Sequence, residues 1–591
     1  MHLITKQIKG HEYFYLVEKE RRGERVVTSR TVYIGDRRKL VELIQANTLV
    51  SMPKAFSSQD VGGALALASV ASDLGVEEII DKVCPVREEA VPVGRRLLIT
   101  AIHCALAGRR NNSKSRVLDT YEGSVLADLL PLQSSALEGR RLCELVAKLT
   151  AKQIDEIESG LVRRVIEKEG IALKAMAFDC TNFDSYAAAT TRSRLLRRGH
   201  PKSGKPLRVL GLGLLVTEDE GMPLLSFVYP GNENDVTAFA RFLKSLDRRQ
   251  TSLGLPVDST VAADGGNISR QLLLRLEKDA RSYVLRLPPH HIKGLARQKS
   301  SELQPCGGSL RGKVWGCKVV CKVYGVERCV VDVYSKRMHQ RQLPGLQRDR
   351  KRARGELLHL QQMLERQRQG LRRVKPLTVR IVKRRVEKTL AREHMADLFQ
   401  VRVRKGVGAP SLEFTESSTA WQDLQDYVLG RTLLVTNRRD WTPEQAVHAS
   451  RLQSHNERFF RDMKDPAGVS ILPLRHRRDA ALRAHALIAV IALLLSKVVQ
   501  RRLKRGGIKA PSLASVFGPM KGIRRARLRY GEDAPPALRA LAKDTWVTSE
   551  RTPRQQEILE ALGLSNNPAL GTTVIDAITG SGRRNRRKVV H

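Results

Sequence analysis

Three acidic residues stand out because of where they fall in the pattern of the chain. Asp179 follows a short apolar run, Asp264 follows a second one, and Glu457 lies in a later segment with helical periodicity. Hard cations such as Mg²⁺ need oxygen ligands, so carboxylates from separate elements have to converge to hold them. Two such ions about 4 Å apart can generate a nucleophile and neutralise the leaving oxygen of a phosphodiester. The three residues therefore predict a two-metal site for phosphoryl transfer.

Each of these residues also has a purely structural interpretation. A lone aspartate at the end of a strand is more often a turn or capping residue than a ligand. Asp184 follows the same first strand, but its local pattern makes it a weaker ligand than Asp179. The joint placement of Asp179, Asp264 and Glu457 in a strongly basic chain favours the functional interpretation.

The elements that would position these residues can be predicted from apolar periodicity. Strands are predicted at 175–182, 208–217, 223–230, 259–266 and 282–287, with helices at 234–249 and 269–280. The order strand, strand, strand, helix, strand, helix, strand is typical of an RNase H-like sheet. The acidic turn 218–221 indicates that the second and third strands are antiparallel. The first and fourth strands would then bring Asp179 and Asp264 to neighbouring strand ends.

Glu457 belongs to a helix that is predicted to begin at the capping box of Thr442 and Gln445, with Pro443 in its first position. At 3.6 residues per turn, positions i, i+4 and i+7 share one face. On that face lie Glu457, Arg461 and Lys464, and the face predicted to pack on the sheet carries Leu452, Phe459 and Met463.

The predicted fold class is α/β, with an RNase H-like catalytic core interrupted by a mostly β insertion domain and preceded by an α-helical N-terminal region. Six segments are expected. They are 1–50, a β-hairpin unit; 51–170, a helical region for DNA binding or dimerisation; 171–287, the first part of the core; 288–440, the insertion domain; 441–507, the final core helices; and 508–591, a basic C-terminal region with a flexible tail.

Charge is the strongest signal of a partner. Lys and Arg number 104 against 61 Asp and Glu, a net charge of +43, and such a chain needs a polyanion. Nucleic acid is the expected polyanion, and an anionic membrane surface is the rival, although no basic amphipathic helix or lipidation signal is evident. The apolar run 486–495 is half a membrane span and predicts a buried helix.

The N-terminus and the cysteines bear on two questions, which are the compartment of the protein and whether it binds zinc. No secretory signal opens the chain, and eight scattered cysteines indicate a reducing cytoplasm. Four of these cysteines lie between 306 and 329, but they contain no C-x-x-C pair, so core thiols are favoured over a zinc site.

The motifs resemble a known family. The stretches 178–182, 210–216, 229–232 and 263–266, followed by 433–437 and by Glu457-x6-Lys464, resemble the Asp-Asp-Glu (DDE) transposases of the insertion-sequence "four" superfamily, in its large branch with an N-terminal hairpin and helical domain. The resemblance covers about residues 10 to 505. Its pattern has Tyr and Arg where this chain has Ser450 and Gln453.

The resemblance implies a DNA transposase that cleaves at terminal inverted repeats and joins the 3′ ends to target DNA. It implies that Asp179, Asp264 and Glu457 bind Mg²⁺, with Mn²⁺ able to substitute, and that Arg461 and Lys464 contact DNA. His200 and Lys202, in the loop between the first two strands, are further predicted DNA contacts. The expected partner is double-stranded DNA, with a homodimer assembled on it, no membrane, and a bacterial cytoplasmic location at the nucleoid.

Two other functional classes stay open on the sequence. One is a metal-dependent nuclease of the same fold that cleaves without strand transfer. The other is a non-catalytic DNA-binding relative, against which the intact acidic triad argues.

Overall fold

The computed structural model describes residues 2–22, 25–48, 55–86, 91–107, 113–188, 190–199, 204, 206–296, 298–371, 375–465, 468–529 and 546–571. The strands in these ranges are β1 (His2–Ile8), β2 (His11–Arg22), β3 (Arg25–Asp36), β4 (Ala55–Asp60), β5 (Ala175–Ser185), β6 (Arg197–Arg198), β7 (Arg208–Thr217), β8 (Pro223–Pro230), β9 (Thr260–Ala263), β10 (Tyr283–Arg286), β11 (Gln304–Pro305), β12 (Val314–Val323), β13 (Val326–Ser335), β14 (Phe399–Arg404), β15 (Ser411–Glu416), β16 (Arg431–Thr436), β17 (Arg524–Arg529) and β18 (Val547–Thr548).

The helices in the same ranges are α1 (Arg37–Thr48), α2 (Gly62–Asp73), α3 (Val76–Val83), α4 (Val93–Leu106), α5 (Val117–Glu122), α6 (Leu126–Leu129), α7 (Gly139–Lys148), α8 (Ala151–Glu169), α9 (Asp235–Leu253), α10 (Arg270–Lys278), α11 (Ile292–Leu295), α12 (Lys336–Arg368), α13 (Val379–Leu390), α14 (Met395–Leu398), α15 (Ser418–Asp423), α16 (Pro443–Arg451), α17 (Gln453–Lys464), α18 (Asp479–Arg505), α19 (Leu513–Met520) and α20 (Pro553–Ala561). The protein is therefore a mixed α/β chain.

The chain divides into two compact units. One consists of Met1–Leu65, Glu122–Asp128 and Gly518–His591. It contains two small antiparallel sheets, one of strand order β1-β2-β3 and one of order β18-β17-β4. The predicted N-terminal hairpin is confirmed as β2 paired with β3, and its turn at 23–24 lies outside the described residues. Of the tail predicted after residue 565, the part from 572 onward also lies outside them.

The second unit, Ala66–Tyr121 and Leu129–Phe517, is built on one large sheet. Its strand order is β11-β12-β13-β16-β10-β9-β5-β7-β6, and β8 also pairs with β7. Strand β5 is antiparallel to β7 and parallel to β9, and β9 is parallel to β10. The predicted order of three strands, helix, strand, helix and strand is confirmed by β5, β7, β8, α9, β9, α10 and β10.

One face of this sheet packs on α9 and α10 through aromatic and aliphatic side chains. Phe178 of β5 stacks on Phe242 of α9, with ring centroids 4.0 Å apart. The Leu-Gly-Leu-Gly pattern of β7 makes room for such rings, because a Cβ at Gly213 would lie 2.5 Å from Cζ of Phe178. At Gly211 a Cβ would lie 2.3 Å from the ring of Tyr229. The two glycines are therefore required by packing.

The segment 288–440 differs from the predicted mostly β insertion domain. Strands β12 and β13 belong to the large sheet, because β13 pairs with β16 in the register Val331↔Leu434. Residues 336–430 then form mainly helices, with one hairpin, β14 and β15, around a separate apolar core. The prediction was wrong because the spacing of Val382 and Val386, both buried in α13, is a helical one.

Helix α18 is the buried core helix that the sequence predicts. Among the described helices it alone is long and apolar enough to cross a membrane by length and composition, yet 94% of its most apolar window is buried inside the protein. In the same unit, the cysteines at 306, 321 and 329 are buried thiols.

Candidate active site

Asp179 and Asp264 lie side by side on neighbouring parallel strands. The pairing of β5 with β9 ends at the register Phe178↔Ala263, and each aspartate is the next residue of its strand. Asp264 has an extended backbone, with φ −82° and ψ 164°, and it precedes a short 3-10 turn. Because neighbouring strands are about 4.8 Å apart, the two aspartates meet at one edge. This register brings the two aspartates to neighbouring positions, but β5 continues past Asp179 to Ser185, so of the two only Asp264, which directly follows β9, lies at a strand end.

Both carboxylates belong to the sheet face opposite α9. Side chains alternate along a strand, and Met176, Phe178 and Cys180 belong to the core cluster that contains α9. Asp179 therefore shares the other face with Thr181, which accepts a hydrogen bond from Lys464 of α17. By the same alternation Asp264, two residues after Ala262, lies on that face as well.

Helix α17 is fixed to β5 by one buried hydrogen bond. Nδ2 of Asn456, which is fully buried, donates to the carbonyl oxygen of Ala177 at 3.1 Å. The predicted buried positions Leu452, Phe459 and Met463 are confirmed as 8%, 4% and 0% exposed. Glu457 and Arg461 lie on other sides of the helix and are exposed.

The predicted helix from Pro443 is interrupted once. Its capping box is confirmed, with Thr442 accepting from the backbone of Gln445. At Leu452 the ladder tightens into i→i+3 bonds, from the amide of Leu452 to Ala449 and from the amide of His455 to Leu452. The segment is therefore two helices, α16 and α17.

Glu457 lies on the side of α17 that is turned toward β9. His455 contacts the turn between β7 and β8, where a Cβ at Gly221 would lie 2.5 Å from the imidazole. Successive residues of a helix are about 100° apart, so Glu457 lies on the opposite side of Asn456 from His455. Since β9 flanks β5 opposite β7, that side is the one where Asp264 lies.

The donor set has the chemistry of a hard-cation site. Asp179, Asp264 and Glu457 offer only carboxylate oxygens, and the side chain of Asp264 is 49% exposed. In the part of the chain that the structure describes, no three His, Cys, Asp or Glu side chains are close enough together to hold a metal ion. The structure thus places the two aspartates next to each other and leaves Glu457 on the neighbouring helix, outside a common cluster with them.

A family model described as "Transposase DDE domain" matches residues 188–495, just over half of the chain. The chain belongs to the DDE transposase family. It is a DNA transposase, an enzyme that cleaves and transfers DNA strands, and DDE transposases are metal-dependent. The matched residues of this transposase include Asp264 and Glu457 and begin after Asp179.

Two further comparisons were made with known proteins. The transposase is similar to a solved structure described as a piggyBac transposase synaptic complex with hairpin DNA, at 9% sequence identity and a TM-score of 0.34. The similarity covers 78% of this chain and 79% of the other. No curated protein matches the chain in sequence.

The predicted DNA-contacting residues of the transposase fall into two groups. Nζ of Lys464 donates to Oγ1 of Thr181 at 2.6 Å and lies over the ring of Phe183, 5.4 Å from its centroid. Lys464 thus lies on the same sheet face as Asp179, while Arg461 is exposed one turn earlier. His200 and Lys202 lie outside the described residues.

Two residues of the site were missed by the sequence reasoning. Asn456 sits next to Glu457, and its burial could be read only from the apolar residues at 452, 459 and 463 on the same face. Nη1 of Arg286 lies 3.8 Å from Oδ1 of Asp264. Arg286 is the last residue of the buried strand β10, so its placement at a strand end was the available signal.

Proposed function

We propose that Asp179, Asp264 and Glu457 are the catalytic carboxylates of this transposase, and that they bind Mg²⁺, with Mn²⁺ able to substitute. The observation that carries the proposal is that Asp179 and Asp264 each come directly after Phe178↔Ala263, the last registered pair of the parallel strands β5 and β9. The order β8-β7-β5-β9-β10, with the first three antiparallel and the last three parallel, supports an RNase H-like core. Residues 336–430 would be the insertion of that core.

Some residues of the chain would bind the metal ions, and others would position the residues that bind them. Two adjacent carboxylates repel each other, and Arg286 offsets part of that repulsion at Asp264. When bound, divalent ions would supply a deprotonated nucleophile and neutralise charge on the leaving oxygen. Asn456 would hold α17 so that Glu457 stays on the side of Asp264.

The DNA would be held from the same sheet face. We propose that Arg461 and Lys464 contact phosphates of the cleaved end, because Lys464 already lies beside Thr181, two residues from Asp179. His200 and Lys202 are proposed as further contacts. The substrate would be double-stranded DNA with terminal inverted repeats, bound by a homodimer in the bacterial cytoplasm, as in the insertion-sequence "four" superfamily.

The test is Asp264→Asn beside Asp258→Asn, an exposed aspartate that precedes β9. The substrate is a plasmid carrying the gene with its native flanking DNA, and both cleavage and joining of the 3′ ends to a second plasmid are measured. Loss of ligand charge should slow cleavage about a hundredfold or more, which corresponds to several kcal/mol of transition-state stabilisation. Asp258→Asn should cleave normally.

Folding and DNA binding should survive in Asp264→Asn, since the lost ion pair with Arg286 is a half-exposed one worth about 1 kcal/mol or less. Cleavage by Asp264→Asn at the rate of Asp258→Asn would refute the assignment. Cleavage without joining would identify a nuclease and refute the strand-transfer part alone.

A further inference from the structure

Seven exposed arginines lie on two segments of the large unit and lack acidic partners. They are Arg192, Arg194, Arg197, Arg198, Arg475, Arg477 and Arg478. Among the described residues, no carboxylate lies within 4 Å of any of their guanidinium groups. The ion pairs that do form in this unit involve other side chains. We call these seven residues the arginine face.

Arginines that support the fold behave differently in the same unit. Arg249 is 8% exposed and bonds to Glu158, Arg328 is 2% exposed and bonds to Glu277, and Arg431 is fully buried against Asp332. A buried guanidinium needs such a partner because unpaired buried charge is costly. The arginines of the arginine face are neither buried nor paired with a carboxylate among the described residues, so packing does not account for their charges.

The two segments are joined by contacts that fix their backbones. Asp479, the first residue of α18, accepts hydrogen bonds from Oγ of Ser193 and from the amides of Arg194 and Leu195. These bonds use the carboxylate that would otherwise attract the neighbouring arginines. Oγ of Ser185, the last residue of β5, donates to the carbonyl oxygen of Leu474 at 3.2 Å. Residues 193–195 and 474 are therefore held at one end of the sheet.

A cavity extends the basic surface on the side of α7. Its volume is about 420 Å³, and one carboxylate, Glu144, faces several basic groups there. Glu144 is bonded at 3.0 Å to Arg140. The lysine and arginines that line the cavity are Arg140, Lys148, Arg477 and Arg478.

The arginine face lies on the path that leads out of the active site along β5. Asp179 and Ser185 are six residues apart on this strand, a distance of about 20 Å at the usual rise. The register Ser185↔Arg208 and Arg208↔Arg198 places β6 two strands away at the same end. A duplex rises about 3.4 Å per base pair, so 20 Å corresponds to about six base pairs.

We propose that the arginine face binds the sugar-phosphate backbone of duplex DNA about six base pairs from the cleaved bond. Guanidinium groups suit this role because they form forked hydrogen bonds to phosphate oxygens. Such contacts position the DNA without reading its sequence. The position of the cleaved bond rests on the proposed function, whereas the binding itself does not.

The test compares two triple variants with a matched control. The first variant is Arg194→Gln, Arg197→Gln and Arg198→Gln, and the second is Arg475→Gln, Arg477→Gln and Arg478→Gln. The control, Arg116→Gln, Arg164→Gln and Arg368→Gln, removes three exposed arginines that are paired with carboxylates at i,i+3. All three proteins lose the same charge, and a thermal melt of each one checks that it stays folded.

Affinity for a mixed-sequence DNA duplex is measured against salt concentration, in the Asp264→Asn background, so that cleavage does not enter. Each lost phosphate contact lowers the slope of log K against log salt by about 0.9, so each triple variant should lose about 3. The control should lose less than about 1. Equal slopes in the control and in both triple variants would overturn the proposal, whatever Asp264→Asn does in the cleavage assay.

Asp479→Ala tests whether the fixed backbone matters. This variant raises the net charge by one, so charge alone predicts tighter DNA binding. Because the bonds to Ser193, Arg194 and Leu195 are lost, we expect weaker binding and a shallower salt dependence instead. A steeper salt dependence would overturn the role of Asp479 and leave the triple variants to decide the role of the arginines.

Discussion

At the scale of single residues, the site depends on two carboxylates that face one way from neighbouring strands. Asp179 and Asp264 would destabilise each other without a counter-charge, and Arg286 at 3.8 Å is the nearest described one to Asp264. Glu457 is exposed on α17, so its ionised form is solvated. The chemistry proposed for the triad should therefore be separable from the stability of the fold.

Glu457→Gln tests this separation. The substitution keeps the shape of the side chain and removes the charge, so we expect cleavage to fall about a hundredfold or more while the melting temperature stays within about 1 °C. Glu167→Gln, an exposed glutamate of α8, is the matched control and should change neither quantity. Full cleavage activity in Glu457→Gln would contradict the metal-binding role.

At the scale of elements, the placement of Glu457 is a property of α17 and β5 together. The helix contacts the strand at both ends, through Asn456 on Ala177 and through Lys464 on Thr181. These contacts make α17 run in the same direction as β5, past Asp179. The irregular bonds at Leu452 allow α17 to follow the strand independently of α16.

Asn456→Ala should loosen this attachment. Loss of the buried hydrogen bond to the carbonyl of Ala177, a residue that keeps its strand partner Val216, costs about 0.5–1.5 kcal/mol of the free energy of unfolding. Ser454→Ala, at an exposed position of the same helix, should cost almost nothing. Urea denaturation measures both variants, and cleavage well below the melting temperature should fall only in Asn456→Ala. An unchanged urea midpoint would contradict the anchoring role.

At the scale of the whole molecule, the net charge is +43, and the basic side chains that produce it are of two kinds, buried ones that support the fold and exposed ones. Buried basic groups are arranged around hydrogen bonds, as in the cluster of Lys114, His485 and His476. Nε2 of His485 donates to the carbonyl oxygen of Ile471, which leaves Nδ1 to accept from Lys114 at 2.6 Å. His485 is therefore neutral in the folded protein.

Acid should destabilise the protein through this cluster. Burial, and then the charge of Lys114, lower the pKa of His476 to about 4 and the pKa of His485 well below its ordinary value. In the unfolded chain both titrate near pH 6.5, so between about 6.5 and about 4 the unfolded state binds more protons. The free energy of unfolding should fall over this window and be unaffected by these groups above it.

Urea denaturation at pH 7.5 and at pH 5 measures the effect, which should be on the order of 2 kcal/mol for His476. His476→Gln should reduce the difference between the two pH values by about that amount, whereas His359→Gln, at an exposed position, should leave it unchanged. An equal pH dependence in both variants would contradict the buried-histidine explanation.

The sequence by itself determined the types and local places of the elements. Apolar alternation predicted β5, β7, β8, β9 and β10, and the capping box predicted the start of α16, because these signals depend on neighbouring residues. The same information placed acids after two strands and on a later helix. It failed at 379–398, where helical spacing such as that of Val382 and Val386 was assigned to short alternating strands.

The tertiary structure decided which of these elements meet. The pairing of β5 with β9, and of β13 with β16, joins residues about a hundred positions apart, and it depends on which apolar faces are buried together. Such pairings decide which side chains surround Asn456, Arg286 and the arginine face. Local periodicity specifies the direction of a side chain, but only long-range packing specifies the side chain that it faces.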